Sequence, residues 1–203
     1  MNALLYPGQG SQLVGMGSEI FTKFQLVNKN FKLVKKIFQQ ADEKLNFPIS
    51  KLILEGPEKD LQLTKNTQPA ILTVSYSIFK VIKEEFGFDF KNFKFFAGHS
   101  LGEYSALVSA EALKFEDALY LLRERGKAMQ ESVPVGKGKM IATLGSSIDE
   151  IIKLINLSSK EGKICEIAND NSDGQLIISG DTESVDSFIK LLKEKKIKFI
   201  PLK

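Results

Sequence analysis

The sequence predicts an α/β protein built in two parts. Three observations carry this. A short apolar run, Phe93 to Ala97, ends in Gly98-His99-Ser100-Leu101-Gly102 and passes straight into a helical pattern. A second short apolar run, Ala3 to Tyr6, likewise opens into a glycine-rich loop. After Pro134-Val135-Gly136-Lys137-Gly138 the pattern changes to six short elements in the order βαββαβ. The expected parts are residues 1–134 and 135–203.

Composition bounds the rest. A chain of 203 residues with 43% hydrophobic content can bury a core. The balance of 28 Lys+Arg against 25 Asp+Glu gives +3, dispersed along the chain, which argues against nucleic acid as a partner. A single cysteine, Cys165, forms no internal disulfide, and no Cys/His cluster suggests a metal. It reads as a small buried residue on a strand. No apolar run approaches the ~18 residues of a membrane span, and the N-terminus lacks the basic flank of a signal peptide. A reducing cytoplasm is the expected compartment, and a monomer the expected state.

In chain order, Ala3–Tyr6 is the first strand, followed by Pro7-Gly8-Gln9-Gly10-Ser11-Gln12. Such a loop lets backbone approach a ligand, so the Gln9 N–H is a candidate oxyanion donor; on its own, an ordinary turn is the preferred reading. Residues 19–45 are helical in pattern, with Phe31, Val34, Phe38 and Ala41 on one face. Pro48 to Leu54 reads as a shorter helix or turn. Pro69 then suits the first turn of a helix from Ala70 to Phe86, in which Ala70, Val74, Ile78 and Ile82 recur every four residues. Gln68 has two readings, a cap for that helix, which is favoured, and a contact to a ligand.

The run Phe93 to Ala97 reads as a buried strand, and Gly98 to Gly102 fits the G-x-S-x-G turn called a nucleophile elbow. Its glycines belong there because the turn leaves no room for side chains at the flanking positions. Ser100 is the candidate nucleophile, projecting at the head of a helix, where the Leu101 N–H is the expected oxyanion donor. Five such residues also arise in any Gly/Ser loop, so the motif alone is weak.

Phe115 to Gln130 forms a helix with Phe115, Ala118, Leu119, Leu122 and Met129 on one side. Arg125 lies at the edge of this stripe. It is either a snorkelling or ion-paired arginine, or a planar fork held to grip a substrate carboxylate. The second part reads as strand 139–144, helix 148–157, strand 164–168, a turn over 169–174, strand 175–179, helix 182–195 and strand 198–202. The lysines closing its last helix read as a solvated face.

Five stretches now stand together: PGQGSQ at 7–12, NTQPAI at 66–71, GHSLGEYSALV at 98–108, RGKAMQ at 125–130 and N-x-N-S-x-G-Q at 169–175. In this order they resemble the malonyl-CoA:acyl carrier protein transacylases and the acyltransferase domains of fatty acid and polyketide synthases. The resemblance spans essentially the whole chain. It implies an α/β-hydrolase-like core with a parallel sheet and an inserted ferredoxin-like subdomain. It implies that Ser100 carries malonate as an ester between malonyl-CoA and the phosphopantetheine thiol of acyl carrier protein, in support of fatty acid synthesis. Gln9 and Leu101 would hold the oxyanion, Arg125 the malonyl carboxylate, with Gln9 and Gln68 among the substrate-binding candidates. No cofactor or metal is implied; phosphopantetheine belongs to the partner.

Two departures qualify the resemblance. Asp173 stands where the family pattern has proline, which a turn accepts. The family's general-base histidine also lies beyond the position equivalent to Lys203, and the only histidine here is His99, whose ring should diverge from Ser100 in so tight a turn. The chain is therefore expected to be an N-terminal fragment, truncated before its core is completed and slowed in acylation. Two rivals stay open: a serine hydrolase or thioesterase, with Asp173 as a conceivable partner of Ser100, and a non-catalytic module binding CoA or carrier protein.

Overall fold

The computed structural model describes residues 2–20, 22, 32–134, 136–158 and 161–202. Its contacts divide the chain into Met1–Ser132 and Val133–Lys203. The fold is α/β, with a parallel sheet in the first unit and an antiparallel sheet in the second.

In the first unit, β1 (Asn2–Tyr6) pairs in parallel with β2 (Phe93–Gly98), in a register that runs from Ala3 opposite Phe95 to Tyr6 opposite Gly98. Parallel strands need a long crossover. Here it contains α1 (Lys32–Leu45), α2 (Ile49–Glu55) and α3 (Thr64–Lys80). The elbow helix α4 (Gly102–Ser109) and then α5 (Phe115–Glu131) come after β2. The core gathers Val34, Phe38, Ile53, Leu72, Leu101, Leu119 and Leu122, all buried. Phe31 lies outside the described residues.

The structure departs from several of these expectations. β2 is not a buried strand: Phe95 is 53% exposed, and its cross-strand neighbourhood on β1 includes Leu5 at 73%. Phe96, on the other face, meets the ring of Phe79 edge-on at 6.4 Å. A two-stranded sheet covered by helices on one side leaves the alternate residues open. α3 begins at Thr64, so Pro69 sits inside the helix rather than at its first turn. Its N-cap is Leu63, with no side-chain cap bond, so Gln68 is not a cap. Met129, placed on the apolar stripe, is 48% exposed, because α5 extends beyond the core at that end.

The second unit runs β3 (Gly138–Leu144), α6 (Ile148–Ser158), β4 (Cys165–Ser172), β5 (Gln175–Asp181), α7 (Thr182–Glu194) and β6 (Lys198–Pro201). The strands form one antiparallel sheet in the order β4-β5-β3-β6. Ile151, Leu154, Val185, Phe188 and Leu192 of the two helices pack on Ile141, Leu176 and Ile178 of the strands. Residues 169–172, expected as a turn, extend β4 instead. Register shifts at Ile167/Asn169 and Asp170/Ser172 let this exposed edge strand carry a polar sequence. Cys165 is buried on β4, and burial pushes its thiol up from the ordinary range.

Candidate active site

The register of β1 against β2 sets the site. With Tyr6 opposite Gly98, the loop that leaves β1 and the elbow that leaves β2 emerge side by side, and the His99 N–H donates to Tyr6 O at 3.3 Å. The backbones are nearly in contact. A Cβ on Gly98 would lie 2.1 Å from the Gly102 carbonyl group, and one on Gly102 would lie 2.7 Å from the carbonyl oxygens of both Tyr6 and Pro7. A Cβ on Gly8 would lie 2.6 Å from His99 Nδ1, so the imidazole is turned against the loop backbone.

Between the two glycines Ser100 takes φ +55, a left-handed conformation that a non-glycine residue adopts only under constraint. The turn aims its hydroxyl at α5. There Arg125 Nη2 donates to Ser100 Oγ at 2.9 Å, while Arg125 Nη1 donates to Gln68 Oε1 at 2.6 Å. Gln68 is fully buried, and its Nε2 donates to Met129 Sδ at 3.3 Å. One guanidinium thus bridges the nucleophile candidate and a side chain of α3. Sequence reasoning singled out all three residues but missed their order, in which Gln68 touches Arg125 and Arg125 touches Ser100.

The glycine-rich loop is internally braced. Gln12, only 7% exposed, accepts the Gly10 N–H at 2.7 Å and donates to Gln62 Oε1 at 2.9 Å, and Ser11 Oγ donates to Gly8 O at 2.9 Å. Gln9 points its side chain outward, with Nε2 donating to Thr64 Oγ1 at 3.2 Å. Gln12 was not among the residues singled out. Its signal in the sequence was an amide two positions past Gly10, in a loop that also holds Gln9.

A separate apolar cavity of about 630 Å³ is lined by Tyr6, Ile71, Val74, Phe79 and Phe93 among others, and none of Gln9, Gln68, Ser100, Leu101 or Arg125 borders it. No group of His, Cys, Asp and Glu suited to a metal ion occurs among the described residues. Among them, no helix is long and apolar enough to cross a membrane.

The chain is 43% identical over 201 residues to the malonyl CoA-acyl carrier protein transacylase of Bacillus subtilis, covering 98% of this chain and 60% of the relative. Its fold matches the crystal structure of acyl-carrier-protein-S-malonyltransferase from Bartonella henselae with a TM-score of 0.89 and 40% identity, covering all of this chain and 62% of that one. A further match, at TM-score 0.87 and 38% identity, covers 98% of this chain and 62% of a malonyl-transacylase held in complex with a type II PKS acyl-carrier protein. The chain therefore spans about 60% of the length of these relatives. A family model for the acyl transferase domain matches residues 3–200, and with nearly every residue inside that match the chain belongs to the acyl transferase family.

Proposed function

We propose that this acyltransferase moves a malonyl group from malonyl-CoA to the phosphopantetheine thiol of acyl carrier protein, by way of a malonyl ester on Ser100, in fatty acid synthesis. Residues 1–134 supply an α/β-hydrolase-like core and residues 135–203 a ferredoxin-like subdomain. The single observation that carries the reading is the Arg125–Ser100 hydrogen bond of 2.9 Å. A guanidinium within reach of the nucleophile suits an acyl group that ends in a carboxylate, and it leaves a neutral acyl group facing an unpaired charge.

In the first step Ser100 Oγ attacks the thioester carbonyl. The main-chain N–H groups of Gln9 and Leu101 receive the oxyanion, and the C–S bond breaks as the serine proton passes to the leaving CoA thiolate. In the second, the carrier thiol attacks the ester, and its proton returns to Ser100 as the malonyl thioester leaves. Arg125 holds the carboxylate throughout, with Gln68 fixing its far nitrogen.

Intact-mass measurement after mixing with malonyl-CoA tests this. A malonyl adduct is expected on Ser100, absent in Ser100→Ala, weak with acetyl-CoA, and discharged faster when carrier protein is added. Equal labelling by acetyl-CoA, or discharge to water at a rate indifferent to carrier protein, would overturn it in favour of a hydrolase.

A further inference from the structure

A helix with proline at its sixth residue has a defect. Pro69 has no N–H, so the carbonyl of Lys65, four residues earlier, receives no main-chain donor from it. The vacancy lies in the stretch of α3 that carries Gln68, the residue that meets Arg125.

We infer that Arg123 is a positioning residue, whose guanidinium replaces the donor missing at Pro69 and so sets Gln68 and Arg125 in register. Arg123 Nη1 donates to Lys65 O at 3.0 Å, and it also bonds Asn66 Oδ1. Asn66, itself buried, turns its Nδ2 to Asp60 O at 2.7 Å, so the anchor reaches the segment before α3. The guanidinium lies 4.7 Å over the ring of Phe47, which limits the positions it can take.

The two helices meet at this point. A Cβ on Gly126 would lie 2.5 Å from Lys65 Cα and 2.7 Å from Thr64 O. Arg123 and Arg125 are two positions apart on α5, and Asn66 and Gln68 are two positions apart on α3. Both intervals turn about 200° around a helix, so each helix presents the two members of its pair on nearly opposite sides. Arg123 grips α3 at Lys65 and Asn66, and Arg125 grips it at Gln68. Loosening the first grip moves the second, and with it the group that faces Ser100.

The kinetic half of this inference rests on the malonyl-transfer reading; the structural half does not. The test is a double-mutant cycle of Arg123→Ala and Pro69→Ala, because alanine at 69 restores the missing N–H. Arg123→Ala is expected to lower malonyl labelling of Ser100 by roughly 10- to 100-fold, the worth of one hydrogen bond from a charged group. Acetyl labelling should scarcely change, and in the Pro69→Ala background most of the malonyl loss should vanish. A general loss of stability would instead depress both donors alike. Hydrogen exchange of the amides at 66–68 and 70–72 is read on the same four proteins. Protection should fall in Arg123→Ala and return in the double variant. Equal effects in both backgrounds, or unchanged exchange in Arg123→Ala, overturn the inference. If the parent chain takes no malonyl label at all, the functional reading fails, and the exchange cycle still decides the role of Arg123.

Discussion

Arg125 Nη2 and Ser100 Oγ stand 2.9 Å apart, joining a residue of α5 to the turn before α4. A donor carboxylate entering this site competes with the serine oxygen for the same fork. Lysine at 125 keeps the charge but has neither the planar fork nor the span to reach Gln68 and Ser100 together. Arg125→Lys is therefore expected to lower kcat/KM for malonyl-CoA by about 30-fold or more, and Arg125→Ala by more still. Acetyl-CoA should lose little with either. Steady-state rates with the two donors check this; equal losses for both would remove the carboxylate grip from the account.

The elbow tolerates no added methyl. Gly102→Ala places its Cβ against two carbonyl oxygens of the strand-to-loop junction at 2.7 Å, and neither can yield without parting β1 from the elbow. The expected cost is about 3 kcal/mol or more, a large share of a domain's stability. Urea unfolding of the variant should show this, or the protein should fail to accumulate folded. A midpoint like that of the parent would mean that the turn is looser than its contacts indicate.

Gln68 is buried completely and holds the nitrogen of Arg125 that Ser100 does not. Gln68→Leu keeps the volume close and removes the acceptor. One donor of a part-buried guanidinium is then stranded, at a cost of about 1 to 3 kcal/mol. The kinetic signature should be a fall in malonyl transfer at nearly constant acetyl transfer, since only the former depends on where Arg125 points. Matching losses with both donors would make Gln68 a packing residue.

What was legible in the sequence was whatever is written within a few adjacent residues. The crowding of Gly98 and Gly102 follows from the turn itself, and so does the projection of the Ser100 side chain from it. The start of α3 was not legible. Pro69 is a local signal for a helix beginning, and the signal misleads because Arg123, far along the chain, supplies the bond that proline lacks. The misplaced start then turned Gln68 into a cap. β2 was misread for a related reason. An apolar run reports an affinity for burial, whereas Phe95 shows that burial also needs a neighbour on that face. On β4, Asn169 to Ser172 carry every residue of a turn, yet they pair with β5 through two register shifts that no local pattern encodes.

Tyr6 gives a prediction that depends on pH. It ends β1 beside the elbow, 8% exposed, and its hydroxyl faces that of Ser109 without reaching full hydrogen-bond geometry. Burial pushes its pKa up to about 12. In the unfolded chain the same group loses its proton near pH ~10. Between those values the folded state holds a proton that the unfolded state has released, so stability falls as pH rises. The contribution is intact below pH ~10 and is lost progressively up to the folded value. Phenylalanine at this position has no proton to lose and removes a buried hydroxyl. Tyr6→Phe is therefore expected to be neutral or mildly stabilising at pH 7, and to remove about 2 kcal/mol from the fall in unfolding free energy between pH 9 and 12. Urea titrations of both proteins, followed by circular dichroism at several pH values, measure the difference. Parallel curves across that range would mean that the Tyr6 hydroxyl ionises in the fold as readily as in the open chain, and that the junction between β1 and the elbow admits water.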